Sequence, residues 1–191
     1  MKKKNIPCSA VRTAVDGVGG LMTALRRRIH AHPELSGQEQ DTARAVYDVL
    51  KNKKIDVRFF CNNTAVRATI RNGDGPVIVL RADMDALPLQ EENDVSYRSR
   101  TPGVMHACGH DMHTAALAGA ACALRELKNR WQGTVVCLFQ PSEEIDEGGA
   151  RQLIAHGAFP DDAAAVFGLH VSADHPAGSV GLKSGEDYAG V

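Results

Sequence analysis

Three short apolar runs, each followed at once by acidic residues or a histidine, constrain this chain more than anything else in it. Val77–Arg81 leads into Asp83 and Asp85, Thr134–Gln140 into Pro141-Ser142-Glu143-Glu144, and Ala163–Leu169 into His170. Each run is too short for a typical globular helix and lacks the polar-apolar alternation of a half-exposed strand, so each reads as a strand buried on both faces. Helical patterns separate them. Leu117, Ala120, Ala121, Leu124 and Leu127 give residues 113–128 an apolar stripe, and residues 149–156 read as a shorter helix. Apolar strands alternating with helices are what a sheet covered on both faces requires. The predicted fold class is α/β, a largely parallel mixed sheet flanked by helices.

The first third of the chain is less regular. A helix over 10–31, weakened by glycines and ending near Pro33, precedes a second over 37–53, where Ala43, Val46 and Leu50 form the stripe. Strands follow at Val57–Phe60 and Ala65–Ile70, and Gly73-Asp74-Gly75-Pro76 makes a turn into Val77. The 191 residues fit one domain with no internal repeat, and residues 1–10 read as a loose terminus. A net charge of −1 gives no bulk attraction to nucleic acid or to an anionic membrane, and the short basic runs Lys2–Lys4 and Arg26–Arg28 read as solvated surface. No apolar stretch of about 18 residues is present to span a bilayer. The lysine cluster at the start is not followed by a continuous apolar segment, so no signal peptide is expected. Five cysteines, an odd number without framework spacing, point to a reduced, cytoplasmic setting.

In open α/β sheets the ligand crevice lies beyond the carboxyl ends of the strands. The three strands, together with the loop His106-Ala107-Cys108-Gly109-His110-Asp111, deliver Asp, Cys, His and Glu there, and these are metal-ligand residue types. Cys108 as thiolate and His110 as neutral imidazole suit zinc or a similar transition metal, provided an extended loop turns both the same way. Asp85 and Asp111 are candidates to orient a ligating imidazole, although Asp83 and Asp85 also fit a simple cap on the turn before Pro88. In the adjacent pair Glu143-Glu144, one carboxylate can bind metal while the other serves as general base. Cys122 and Cys137 read as small core hydrophobes. His106 and His113 read as hydrogen-bonding or capping neighbours of the loop, and His30, His32, His156 and His175 as structural. No serine-hydrolase elbow, phosphate loop or dinucleotide fingerprint is present.

Six segments in order resemble the zinc amidohydrolase family of aminoacylases, hippurate hydrolases and indoleacetyl-amino-acid hydrolases, relatives of the co-catalytic zinc carboxypeptidases. They are Arg27–Glu34, Arg81–Pro88, Gly103–Thr114, Gln140–Glu144, Gly148–Ala150 and Gly168–Val171. The resemblance implies a site for two divalent metal ions, zinc or manganese, with Cys108, His110, Glu144 and His170 as ligands. It implies Glu143 as the general base that activates a metal-coordinated water and later protonates the leaving amine, and Asp85 as a catalytic-site residue that supports the metal ligands from behind. The implied reaction is hydrolysis of a small-molecule N-acyl amino acid to a carboxylate and an amine, with no nucleic-acid or membrane partner. Residues 11–183 would then be a partial catalytic domain.

Family members carry a lid and dimerisation domain after the segment equivalent to Gly178–Gly185, and then a last histidine ligand. Residues 184–191 are expected to begin the connection to that lid, although Gly185–Gly190 departs from the family's run there. A chain lacking the lid would have an incomplete site and an uncovered sheet edge; homodimerisation is expected only of the full-length form. The alternative function is accordingly a non-catalytic fragment or pseudoenzyme that binds a partner through that edge. A single structural zinc fits poorly, because such sites close with four Cys or His ligands.

Overall fold

The computed structural model describes residues 6–146 and 148–181. Among the described residues, five α-helices and five strands follow one another as α1 (Cys8–Asp16), α2 (Gly19–Ala31), α3 (Gln40–Asn52), β1 (Asp56–Phe60), β2 (Ala65–Asn72), β3 (Val77–Asp83), α4 (His110–Glu126), β4 (Gly133–Gln140), α5 (Gly149–Ala155) and β5 (Ala163–Gly168), with short 3-10 turns at Cys61–Asn63 and Lys128–Arg130. The α/β class is as expected. The first helix already begins at Cys8, inside the stretch expected to be loose, and the single helix expected over 10–31 is two. The break falls at Gly17 and Val18, where glycine's backbone freedom makes continuing the helix costly. The residues assigned to a lid connection, 184–191, lie outside the described residues.

The sheet order is β1-β2-β4-β3-β5. β4 pairs in parallel with β3, and β3 in parallel with β5, whereas β1–β2 and β2–β4 are antiparallel. The sheet is therefore mixed, with its parallel part at the end that carries β3, β4 and β5. The turn at Gly73–Pro76 does join β2 to β3, but those strands are not neighbours; β4 lies between them, and the link crosses its start. β4 is the central strand and is buried along nearly its whole length. That position explains its unbroken apolar sequence, since neither face meets water.

Helices α2, α3 and α4 cover one face. Leu25, Ile29, Val46, Leu50, Ala118 and Ala121 close on Val66, Ala68, Cys137 and Phe139. The other face is covered by α5 and the turn after it, where Leu153 and Ala158 meet Ala65, Val79, Val136 and Leu138. Cys122 and Cys137 are 1% and 0% exposed and belong to this core, as expected of small hydrophobes. β5 differs. It lies at the edge of the sheet, and Val166 and Phe167, on its opposite faces, are 52% and 58% exposed. Among the described residues no helix is long and apolar enough to cross a membrane.

Because β3, β4 and β5 run the same way, their carboxyl ends open on one side of the molecule. Asp83 and Asp85, Glu143 and Glu144, and His170 arrive there from three strands, and α4 begins among them.

This division of the core predicts two contrasting substitutions. Leu50→Ala, at a fully buried position, should lower the unfolding free energy by about 2–5 kcal/mol in urea titrations of the chelator-treated protein. Val166→Thr, on the exposed edge strand, should change it by no more than about 0.5 kcal/mol.

Candidate metal centre

His110 lies at the middle of the cluster. It is the first residue of α4 and fully buried. The helix starts earlier than its apolar stripe suggests, because Gly109, at φ +82°, turns the chain into it. A side chain at 109 would be strained in that conformation and would collide with Val171. Cys108 and His110 thus face the same space across a helix start, where an extended loop had been expected.

The two nitrogens of His110 have separate tasks. Nδ1–H donates to Asp85 Oδ1 at 3.1 Å, leaving the Nε2 lone pair aimed into the site. Nε2 lies 3.6 Å from Glu144 Oε1, 3.9 Å from Glu143 Oε2 and 3.7 Å from Asp83 Oδ1. His170 Nδ1–H donates to the carbonyl of Val171, and its Nε2 stands 3.3 Å from Cys108 Sγ. Ligand atoms, one each from Cys108, His110 and His170, lie within 4.8 Å of one another, and so do one each from His110, Glu143 and Glu144. The five side chains singled out as ligands or base therefore fall into two groups that share His110.

Two observations bear on whether these residues fit a divalent cation. His110 Nε2 and Glu144 Oε1 are buried without a hydrogen-bond partner, which is costly for polar atoms unless a ligand satisfies them. The donors are one sulfur, two imidazole nitrogens and carboxylate oxygens, a set suited to zinc and its neighbours. The local potential agrees. Burial pushes the Cys108 thiol up to about 12, and Glu144, Asp83 and Glu143 push the same way. Burial works against a charged His110, yet Asp85, Asp83 and Glu144 outweigh it and hold its pKa up. Positive charge is what this cavity favours.

Asp85, one of the two carboxylates considered for orienting an imidazole, bonds to three partners. Its Oδ1 accepts from His110; its Oδ2 accepts the Glu144 backbone N–H at 3.0 Å and the Ser36 hydroxyl at 2.7 Å. Burial opposes its ionisation, but these donors prevail and lower its pKa to about 2. Asp111, the other orienting candidate, does not approach His110. Its carboxylate turns back to His30 Nδ1 at 2.8 Å and Arg26 Nε at 2.7 Å, because successive helical side chains point about 100° apart.

Asp83 and His113 form a pair that the sequence reading missed. Asp83 Oδ1 accepts from His113 Nδ1 at 2.5 Å, and His113 Nε2 accepts the Val171 backbone N–H at 2.9 Å. His113 thereby fixes the strand end that carries His170, and neither of its nitrogens is free for a metal. The signal was available: positions 110 and 113 lie three apart in a helix and share a face. Asp83 is a buried partner in this pair and not a cap on the turn before Pro88.

Behind the site a second buried network joins α2 to α4. His30 sits between two carboxylates, with Nδ1 on Asp111 and Nε2 on Glu91 at 3.0 Å. Both acceptors are ionised, so both ring nitrogens carry protons. The Asp111 bond, chiefly, raises the His30 pKa against the opposing effect of burial. Glu91 in turn accepts the Ser99 N–H and an Asn93 amide proton, which ties down the long segment between β3 and α4. His106 is buried alongside with neither nitrogen partnered, and burial lowers its pKa to about 4.

Comparison with known proteins gives consistent results. Residues 79–186 match the model of Peptidase family M20/M25/M40. The chain is 45% identical over 166 residues to IAA-amino acid hydrolase ILR1-like 6 of Arabidopsis thaliana, covering 87% of this chain and 35% of that protein. It is 42% identical over 169 residues to N-acetylcysteine deacetylase of Bacillus subtilis, covering 87% and 44%. The crystal structure of the Bacillus subtilis YXEP protein, described as a dinuclear metal binding peptidase, superposes with a TM-score of 0.84 at 40% identity, covering 89% of this chain and 48% of that one. The chain thus spans less than half the length of these relatives.

The network around His30 makes a prediction of its own. The folded pKa lies above the ordinary 6.5, so the stabilisation is complete below pH 6.5 and fades as pH rises through the folded value. Urea midpoints should fall on going from neutral to alkaline pH. His30→Ala should flatten that dependence and, by stranding two buried carboxylates, cost about 3–5 kcal/mol at neutral pH.

Proposed function

This chain belongs to peptidase family M20/M25/M40, and on that footing we propose that it performs metal-dependent hydrolysis of the amide bond of N-acyl amino acids, giving a carboxylate and an amine. Cys108, His110, Glu144 and His170 hold two divalent cations, zinc or manganese, with Asp85 as a positioning residue and Glu143 as the general base. The observation that carries this reading is the gathering of those donors around His110, whose Nε2 is buried and unpartnered. The substrate class is supported by two relatives, one an IAA-amino acid hydrolase and the other an N-acetylcysteine deacetylase. The dinuclear description of the solved neighbour supports the number of cations.

When bound, the cations would polarise the scissile carbonyl and lower the pKa of water toward about 7. The remaining tasks fall to the side chains. Glu143 is 40% exposed at the rim of the cluster, whereas Glu144 is 23% exposed and held by its backbone to Asp85. The more open carboxylate can accept a proton from the attacking water and hand it to the departing nitrogen. Asp85 keeps His110 in the tautomer whose Nε2 lone pair faces the site, and the Asp83–His113 pair keeps His170 beside Cys108.

A second reading, a non-catalytic module that binds a partner through its sheet edge, draws on the exposure of Val166 and Phe167 on both faces of β5. The two readings differ in outcome. Hydrolysis predicts that the metal-loaded protein cleaves N-acetyl or N-benzoyl amino acids and that Glu143→Gln lowers kcat by about 10²–10⁴-fold with metal content unchanged. Cys108→Ala should reduce bound metal in elemental analysis. Metal without any turnover would favour the second reading, and failure to bind zinc or manganese at all would defeat the first.

A further inference from the structure

Glu39 has no task in the scheme above, yet it is fully buried. It precedes α3 in the N-cap position but does not cap the helix with its side chain. Its Oε1 instead accepts the backbone N–H of Ser142 at 2.7 Å, from a residue 103 positions later. Ser142 stands immediately before Glu143 and Glu144. It is itself buried and has φ +52°, a left-handed conformation that serine adopts only under constraint.

Both sides of Ser142 are held. Its N–H is taken by Glu39 and its carbonyl accepts the N–H of Gly149 at 2.9 Å. Gly149 approaches so closely that a side chain there would overlap the carbonyl oxygen of Pro141. Two residues on, the Glu144 N–H is fixed by Asp85, which Ser36 also holds. Between these clamps lies Glu143, whose own side chain has no such tether among the described residues. Its direction is set by the backbone on either side.

A carboxyl group is an expensive choice for this place. Burial, opposed by the backbone donors, drives the Glu39 pKa up to about 7, and Oε2 has no partner. An apolar residue would fill the same space at less cost to stability. What it would not do is satisfy the Ser142 N–H, which would otherwise be a buried, unpaired donor in a strained turn.

We propose that Glu39 is a positioning residue for the general base: through the Ser142 peptide it holds the left-handed turn that aims Glu143 at the metal cluster. The inference rests on the hydrolase reading for its effect on turnover, but the geometric part stands apart from it. Glu39→Asp keeps a carboxylate and withdraws it by one methylene from the Ser142 N–H. Glu39→Gln keeps the reach and an accepting oxygen.

The test compares these two variants in the metal-loaded protein, together with hydrogen exchange of the Ser142 amide. Glu39→Asp should lower kcat about 10–100-fold, the size of effect that a displacement on the order of 1 Å produces, with KM and metal content near parental values. It should also speed exchange of the Ser142 amide by about tenfold or more. Glu39→Gln should restore both properties. Parental kcat and parental exchange in Glu39→Asp would overturn the proposal, as would a Glu39→Gln protein that loses both. If the parent cleaves no N-acyl amino acid, the hydrolase reading fails, and Ser142 exchange in the two variants still decides whether Glu39 holds the turn.

Discussion

The two oxygens of the Asp85 carboxylate fix the relative placement of three separate pieces of chain. One oxygen holds the imidazole at the start of α4; the other holds the backbone after β4 and the hydroxyl of Ser36 ahead of α3. Those contacts span sequence distances that no local preference could bridge. Without them the His110 ring could rotate or change tautomer, and the Glu143-Glu144 segment would lose one of its two anchors. Asp85 can serve this way because it is almost wholly buried, where charge-assisted hydrogen bonds are strong and water does not compete for them.

That arrangement belongs to a wider concentration of buried charge. Asp83, Asp85, Asp111, Glu39 and Glu91 are all at or near zero exposure, on the side of the sheet where three parallel strands end. Removing so many carboxyls from water is unfavourable unless each is met by donors. Asp83, Asp85, Asp111 and Glu91 are met by histidines, arginines, hydroxyls or backbone N–H groups, and Glu39 by one peptide N–H. The atoms left over, His110 Nε2 and Glu144 Oε1 in particular, face one another within the cluster. The apolar sheet and its helices supply the rigid support that makes this tolerable, with the polar groups confined to one end of the core.

Much of the architecture could be read in the sequence. The apolar runs of β3, β4 and β5 were identifiable because none of them alternates, but only β4 proves buried along nearly its whole length; β5 lies at the sheet edge and is largely exposed. The residues after them were chemically conspicuous because carboxylates and imidazoles are metal-ligand types and ligand crevices lie beyond the carboxyl ends of such strands. Other features were not legible. Nothing in Ala65–Asn72 indicates that one of its sheet partners is the distant β4, or that β4 would slip between β2 and β3. Glu39 looks like any polar residue near a helix start, and its partner is a peptide N–H, which leaves no trace in side-chain identity. The His113–Asp83 pair occupied an intermediate position: helical spacing placed His113 on the face of His110, but only the packed sheet shows which carboxylate it meets.

The sequence by itself determined the α/β pattern of elements, the buried character of the central strand and the inventory of Cys, His and carboxylate groups at the strand ends. Those follow from periodicity and residue chemistry, which are local properties. Tertiary structure alone decided the strand order, the turning of Asp111 away from the site, the tautomers of His110 and His170, and the anchoring of Ser142 by Glu39. Each depends on atoms brought together from distant parts of the chain, where distance and angle within a packed interior select among partners that are chemically equivalent on paper.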